Sequence, residues 1–106
     1  MDLEKNYKIG GLFYFYKNLL TTKQQTIFEN YYFNDNSLGE IALKENISRQ
    51  AVRDCLTKCE RLLVKYEEKL KLGEIYYSQQ DLIKKLIENY PNLSNKLNEI
   101  LKFWGD

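Results

Sequence analysis

The stretch that decides the fold is SLGEIALKENISRQAVRD, residues 37–54. Ser37 and Glu40 have the spacing of a capping box, in which each side chain accepts a hydrogen bond from the backbone N–H of the other residue at the start of a helix. Glu45-Asn46 predicts a turn after about two helical turns, and Ser48 then caps a second helix. Two helices joined by such a short turn indicate a helix-turn-helix unit.

The second of these helices has the residue types of a recognition helix. Such a helix has a small residue and apolar anchors on its inner side, and its N-terminal residues can enter the major groove of DNA. The small residue is Ala51, and the apolar anchors are Val52 and Leu56. Arginine pairs with guanine and glutamine with adenine through two hydrogen bonds, and lysine suits phosphates. We therefore predict nucleic-acid contacts from Lys44, Ser48, Arg49, Gln50, Arg53 and Lys58.

The charge balance of the chain limits this interpretation. Sixteen Lys and Arg stand against fifteen Asp and Glu, a net charge of +1. Dedicated DNA-binding proteins usually carry a basic excess, because neutralising phosphates supplies most of the non-specific affinity. Residues 37–61 contain five basic and four acidic residues, and Asp54 lies beside Arg53. Nucleic-acid binding must therefore depend on where the basic residues lie on the surface, and it should be weak or need a further partner. The alternative is that these polar residues bind no nucleic acid and form only a solvated helix face.

The rest of the sequence predicts an all-α fold. Apolar residues recur at helical spacing over about 3–20 and again in a C-terminal helical extension over about 74–104, with the helix-turn-helix at about 22–60. Thr22 is the predicted cap of the helix that precedes the helix-turn-helix pair. The Gly10-Gly11 pair predicts a kink or a late start in the first helix. We expect the whole chain of 106 residues to form one all-helical domain.

The recognition helix is predicted to be long. Nothing interrupts it from Arg49 to about Leu72, which corresponds to roughly 35 Å at 1.5 Å per residue, and Gly73 is its candidate end. The apolar stripe on its second half must be covered. Either the C-terminal helices or a second copy of the chain can cover it, and we expect a homodimer in addition to the cover within one chain.

Several classes of protein are excluded by the composition. The chain has no His, no Gly-rich phosphate loop and no nucleophile motif, so we predict that it is not an enzyme. Cys55 and Cys59 are most simply core residues, because closed zinc sites need Cys and His together, and we predict neither a metal nor a cofactor. We expect a cytoplasmic protein, because no apolar run is long enough to span a membrane and the N-terminus does not have the layout of a signal peptide.

Residues 19–63, LLTTKQQTIFENYYFNDNSLGEIALKENISRQAVRDCLTKCERLL, resemble region 4 of bacterial sigma factors. The similarity runs from the L-T-x-x-Q helix through the S-x-x-E-I-A helix to the I-S-R-Q-A-V helix. It implies the fold of the winged-helix-like DNA-binding superfamily, here without a wing.

Over roughly residues 7–104 the chain is more similar to the YlxM family, helix-turn-helix proteins associated with the signal recognition particle. SRQAVRD followed by YEEKL is much like the signature of that family. The genes of the family lie beside those of the particle's GTPase and its receptor. The resemblance implies a homodimeric regulatory protein that binds the particle's RNA, its GTPase or both. The positions that match the recognition-helix signature of the family are Ser48, Arg49, Gln50, Ala51, Val52 and Arg53, and no catalytic residue is carried over.

Two other functions stay open from the sequence. The first is a DNA-binding transcription regulator that reads the major groove with the helix starting at Ser48. The second is a protein-interaction module that retains the helix-turn-helix only as a scaffold, since a fold does not determine a function.

Overall fold

The computed structural model describes residues 7–104, and nearly all of this range is helical. Its α-helices are α1 (Tyr7–Tyr16), α2 (Thr22–Tyr32), α3 (Leu38–Glu45), α4 (Arg49–Leu70), α5 (Leu72–Asn89) and α6 (Ser94–Leu101). Short 3-10 helices cover Lys17–Leu19, Pro91–Leu93 and Lys102–Trp104. The predicted all-α fold is confirmed, with α3 and α4 as the helix-turn-helix pair. The predicted start of the first helix near residue 3 lies outside the described residues.

Side-chain caps determine where α3 and α4 begin. Ser37 Oγ accepts a hydrogen bond from the Glu40 N–H at 3.1 Å, and Glu40 Oε1 accepts one from the Ser37 N–H at 3.0 Å, which confirms the predicted capping box. Asn46 ends α3 in the left-handed conformation, with φ 55°, which asparagine tolerates better than most residues. Ser48 Oγ then accepts a hydrogen bond from the Ala51 N–H at 3.0 Å and caps α4 as predicted.

The cap of α2 differs from the prediction by one residue. Thr21, not Thr22, is the cap: Thr21 Oγ1 accepts a hydrogen bond from the Gln24 N–H at 3.1 Å, and Gln24 Oε1 accepts one from the Thr21 N–H at 2.9 Å. The reason is the T-x-x-Q spacing, which either threonine could satisfy. The Gln25 amide instead donates to the Leu20 carbonyl at 3.1 Å, which leaves Thr21 and Gln24 to form the box.

The two adjacent glycines lie inside α1, so the predicted late start of this helix is wrong. A Cβ on Gly10 would stand 3.4 Å from Tyr32 Cδ2. A side chain of α2 therefore packs directly on the backbone of α1. This packing supports the helix at positions where glycine alone would weaken it.

The described residues form two compact units, which meet between Leu70 and Lys71 along the chain. In the first unit, α1, α2 and α3 pack against α4. Its buried apolar residues are Phe13, Tyr16, Leu20, Ile27, Phe28, Ile41, Ala42, Val52, Leu56, Cys59 and Leu63. Two phenol hydroxyls also connect the outer helices to α4: Tyr16 donates to Glu67 at 2.6 Å, and Tyr32 donates to Glu60. The recognition helix is thus fixed over most of its length by its own unit.

The end of α4 also differs from the prediction. The helix ends at Leu70 rather than near Leu72, because Lys71 adopts the left-handed conformation with φ 56°. The Lys71 carbonyl accepts a hydrogen bond from the Ile75 N–H at 2.9 Å and so opens α5. Gly73, the predicted helix end, is instead a buried residue in the first turn of α5. The C-terminal extension, predicted from about residue 74, therefore starts slightly earlier.

The second unit consists of α5, α6 and the two 3-10 helices that flank α6. α5 stops before Pro91, as predicted. Trp104 Nε1 donates a hydrogen bond to Gln79 Oε1 at 2.7 Å, and the indole meets the Tyr76 ring edge-on with 5.4 Å between centroids. These contacts close the end of the described chain back onto α5. None of the described helices has the length and apolar character to cross a lipid bilayer.

Candidate nucleic-acid interface

The front of α4, which we define as residues 48–53, is positioned by its cap and by buried anchors. Ser48 Oγ accepts the hydrogen bond that starts the helix, and its hydroxyl proton can still be donated to a ligand. Val52 and Leu56 are fully buried against the other helices of the unit, and Ala51 is half-buried. The backbone of the front is therefore fixed, and the side chains that turn away from the core lie at the surface.

Arg49 is exposed, and its guanidinium lies against the first turn of α3. A Cβ placed on Gly39 would stand 2.9 Å from Arg49 Nη2 and 3.1 Å from Nε. Arg49 also borders a groove of about 510 Å³, whose lining includes Ser37, Glu40, Leu43 and Asn46. The first helix of a helix-turn-helix crosses the DNA backbone. In this conformation the Arg49 guanidinium lies beside α3, the helix that would cross that backbone, rather than ahead of α4.

Gln50 does not stand alone on the front of α4. Its Nε2 atom donates a hydrogen bond to Asp54 Oδ1 at 2.9 Å, and both side chains are exposed. Asp54 lies one helical turn further along the same row of the helix. A carboxylate therefore occupies the surface that was predicted to contact nucleic acid, next to one of its predicted base-reading residues.

The other predicted residues occupy different parts of the surface. Arg53 lies one turn beyond Arg49 and is half-buried, while Lys44 is exposed in the last turn of α3. Lys58 is exposed two turns beyond Gln50. The structure brings Arg49, Gln50 and Arg53 together with Ser48 at the front of α4. It places Lys58 farther along α4 and Lys44 on the neighbouring helix.

Glu40 is held in its charged form by its position at the start of α3. Hydrogen bonds from the backbone N–H and the side chain of Ser37 lower the pKa of Glu40 below its usual 4.5, and the nearby Lys44 lowers it further. Glu40 therefore adds a fixed negative charge at the start of α3, close to the groove that Arg49 borders. The candidate interface has charges of both signs, in agreement with the composition of residues 37–61.

Two contacts of the candidate interface were missed from the sequence. The Gln50–Asp54 hydrogen bond has a recognisable signal, because glutamine and aspartate four residues apart on a helix are positioned to bond. The contact of Arg49 with Gly39 has no such signal. It depends on the angle between α3 and α4, which only the packed structure defines.

The two cysteines of α4 differ in environment. Cys59 is buried, which confirms its interpretation as a core residue, and Cys55 is half-buried. A hydrogen bond from the Cys59 thiol lowers the pKa of Cys55 from 9.0 to about 7, and the nearby Lys23 and Lys58 contribute. The same bond, together with burial, raises the pKa of Cys59. Among residues 7–104, no three His, Cys, Asp or Glu side chains are grouped so that they could hold a metal ion.

Comparison with known sequences gives the family of the chain. Residues 3–102 match the family described as "Putative helix-turn-helix protein, YlxM / p13 like", named UPF0122. The chain belongs to the UPF0122 family. This result confirms the resemblance to the YlxM family. Membership of a helix-turn-helix family supports a nucleic-acid-binding protein, and proteins of this class are normally not enzymes.

Individual UPF0122 relatives match over most of their length. A UPF0122 protein of Lactococcus lactis subsp. cremoris (strain MG1363) is 46% identical over 103 residues, which cover 94% of this chain and 93% of the relative. One from Limosilactobacillus reuteri (strain DSM 20016) is 47% identical over 96 residues, covering 87% and 85% of the two chains. One from Bacillus pumilus (strain SAFR-032) is 46% identical over 88 residues, covering 83% and 80%. The similarity therefore includes the helix-turn-helix and extends well beyond it.

Proposed function

We propose that this UPF0122 protein is a non-catalytic accessory of the signal recognition particle pathway, which regulates the particle by binding its RNA, its GTPase or both. The observation that carries the proposal is the front of α4, where a capped and core-anchored helix start presents Arg49, Gln50 and Arg53 together. The choice of partner is supported by the resemblance to YlxM proteins, whose genes lie beside those of the particle's GTPase and its receptor.

The charges of the interface favour a ribonucleoprotein partner over free DNA. Asp54 and Glu40 lie among the predicted contact residues, and both are exposed. If all five basic residues of 37–61 neutralised one phosphate each, log K would fall with log salt with a slope on the order of −4. A salt slope of this size indicates that the phosphate contacts supply only a modest affinity, unless contacts with protein add to it. A partner that contains both RNA and protein supplies such contacts.

The assembly that we propose is a homodimer in the cytoplasm. α5, α6 and the adjoining segments expose many large apolar side chains, namely Ile75, Tyr77, Leu82, Leu86, Tyr90, Leu93, Ile100 and Phe103. Extensive exposed apolar surface in a protein is typical of interaction sites. A second copy of the chain would cover this surface, and two-fold symmetry would present two recognition helices to one partner.

The test is a fluorescence anisotropy titration of signal recognition particle RNA, with and without the GTPase, over a series of salt concentrations. Arg49→Glu/Arg53→Glu should abolish binding, and the single change Arg49→Glu, at an exposed residue, should weaken it without affecting the fold. Lys65→Glu/Lys69→Glu is the control, because it reverses two exposed charges near the C-terminal end of α4, away from its front. Wild-type protein that binds neither component at micromolar concentration would contradict the proposal.

A second candidate function is favoured by the residue types at the front of α4. Arg49 and Gln50 stand at the helix start where DNA-binding helix-turn-helix proteins read bases. Under this alternative the protein is a transcription regulator that prefers duplex DNA to the particle RNA. Arg49→Ala should then relax the base preference at one position and cost roughly 1–3 kcal/mol of binding free energy. An unchanged base preference would count against this function.

A further inference from the structure

The Gln50–Asp54 pair has a defined chemical orientation. An ionised carboxylate can only accept hydrogen bonds, so the group of Gln50 that faces Asp54 must be its NH2. The carbonyl oxygen of the planar Gln50 amide is therefore turned away from the Asp54 oxygen that holds the NH2. Since Asp54 uses only Oδ1 in this contact, its second oxygen also remains an acceptor. Two acceptor oxygens stand next to each other on an exposed row of the recognition helix.

We infer that Gln50 and Asp54 act as one unit that determines base preference, accepting hydrogen bonds from the exocyclic amino groups of cytosine or adenine and rejecting guanine. The inference rests on the proposed function, in that it needs the front of α4 to contact nucleic acid. In the major groove cytosine presents its N4 amino group and adenine its N6 amino group, whereas guanine presents the acceptors O6 and N7. Acceptors on the protein match the first two bases and repel the third.

Without Asp54, glutamine would have a different preference. A free glutamine donates to adenine N7 and accepts from adenine N6, and its NH2 can equally donate to guanine acceptors. Asp54 takes one of the two N–H donors of Gln50 and adds a negative charge beside it. The pair thus disfavours guanine mainly by repulsion between the carboxylate and the guanine acceptors. Discrimination of this kind often depends on unfavourable contacts with the wrong partner.

The charge of Asp54 has a second effect on binding. A carboxylate on this surface repels the phosphates that flank any contacted base, so it lowers affinity for all sequences. Removing the charge should raise non-specific affinity roughly twofold at low salt, as expected for one unit charge several ångströms from another in water. Asp54 therefore increases base selectivity and lowers overall affinity for nucleic acid. This combination suits a helix that contacts one site in a ribonucleoprotein, where other contacts supply the affinity.

The experiment is a selection of bound sequences by the full chain from two pools, duplex DNA with a randomised centre and hairpin RNA with a randomised loop, because side chains cannot read the narrow major groove of an RNA stem. Wild-type protein is compared with Asp54→Asn, which keeps the shape and removes the charge. Asp81→Asn is the matched control, since Asp81 is exposed on α5. We expect wild-type protein and Asp81→Asn to exclude guanine at one position. Asp54→Asn should bind both pools more tightly, and its discrimination against guanine at that position should be about tenfold weaker.

The outcomes separate this inference from the proposed function. If wild-type protein and Asp54→Asn bind and enrich the same bases, the inference is overturned while nucleic-acid binding stands. If wild-type protein binds neither pool nor the particle RNA, the inference is overturned; if it also fails to bind the particle's GTPase, the proposed function is overturned with it. A second measurement tests the pair directly: the side-chain NH2 resonances of Gln50 should differ between wild-type protein and Asp54→Ala. Resonances that coincide in the two proteins would contradict the pairing in solution.

Discussion

Replacing Gly39 by alanine tests the placement of Arg49 on α3. The new methyl group would lie 2.9 Å from Arg49 Nη2, 3.1 Å from Nε and 3.2 Å from Cζ, and contacts this short force one group to move. The atoms in the way belong to the end of an exposed, flexible side chain rather than to the backbone. We therefore expect Arg49 to rotate into solvent while α3 and α4 keep their positions.

The expected energy change combines two terms. Alanine is better than glycine by up to about 1 kcal/mol inside a helix, and by less at Gly39 because it lies in the first turn of α3. Displacing an exposed arginine costs about 0.5 kcal/mol or less, comparable to other exposed charged contacts. Gly39→Ala should thus leave the free energy of unfolding unchanged or raise it by a few tenths of a kcal/mol. In an Arg49→Ala background the obstruction is absent, so the gain should be larger by roughly 0.5 kcal/mol.

The assay is urea unfolding of the four proteins of this double-mutant cycle, followed by far-UV circular dichroism. Gly10→Ala is the control, because its methyl group would meet only an ordinary 3.4 Å contact with Tyr32 and should gain the same stability in both backgrounds. Equal effects of Gly39→Ala with and without the arginine would refute the contact. A loss above about 1 kcal/mol in both backgrounds would show that the backbone, and not Arg49, obstructs the methyl group.

Two further predictions concern α4. Tyr16→Phe should lower the free energy of unfolding by about 1–2 kcal/mol, because the buried phenol of Tyr16 donates to Glu67 at 2.6 Å. Tyr14→Phe is the control, because this ring is exposed and its change should have little effect. Equal effects of the two variants in urea unfolding would contradict this role of Tyr16. Alkylation of Cys55 by iodoacetamide should accelerate as pH rises through about 7, since its pKa is lowered to about 7, and Cys59 should stay slow because its pKa is raised and it is buried. The lowered pKa of Cys55 also means that ionisation of this thiol adds stability as pH rises above about 7, and that this contribution is lost as pH falls through 7. Mass spectrometry of the labelled peptides measures both rates, and equal rates for the two thiols would contradict the assigned environments.

The features that the sequence predicts well are those governed by neighbouring residues. The capping box of Ser37 and Glu40 and the cap at Ser48 depend on residues three apart, so their positions were predicted correctly. Thr21 and Thr22 each precede a glutamine at the right spacing, and sequence alone cannot choose between two equivalent boxes. Lys71 was missed for a related reason: the sequence offers Gly73 as the natural left-handed residue, yet lysine adopts φ 56°.

In the candidate interface, too, the sequence predicts which residues lie there but not what their side chains contact. Which residues stand at the front of α4 follows from the helix start, and the structure places Arg49, Gln50 and Arg53 there. What each side chain contacts does not follow from the pattern that identified them. From the sequence Asp54 is only an unfavourable charge beside Arg53, whereas the structure shows it bonded to Gln50. Their role in binding nucleic acid stays a prediction.

The most direct test of the proposed function is the ratio of two dissociation constants, one for signal recognition particle RNA and one for mixed-sequence duplex DNA, measured by anisotropy at the same salt concentration. We predict tighter binding to the particle RNA, strengthened by the GTPase, lost in Arg49→Glu/Arg53→Glu and retained in Lys65→Glu/Lys69→Glu. Tighter binding to the DNA, or binding that is unaffected by reversal of the two arginines, would contradict the account.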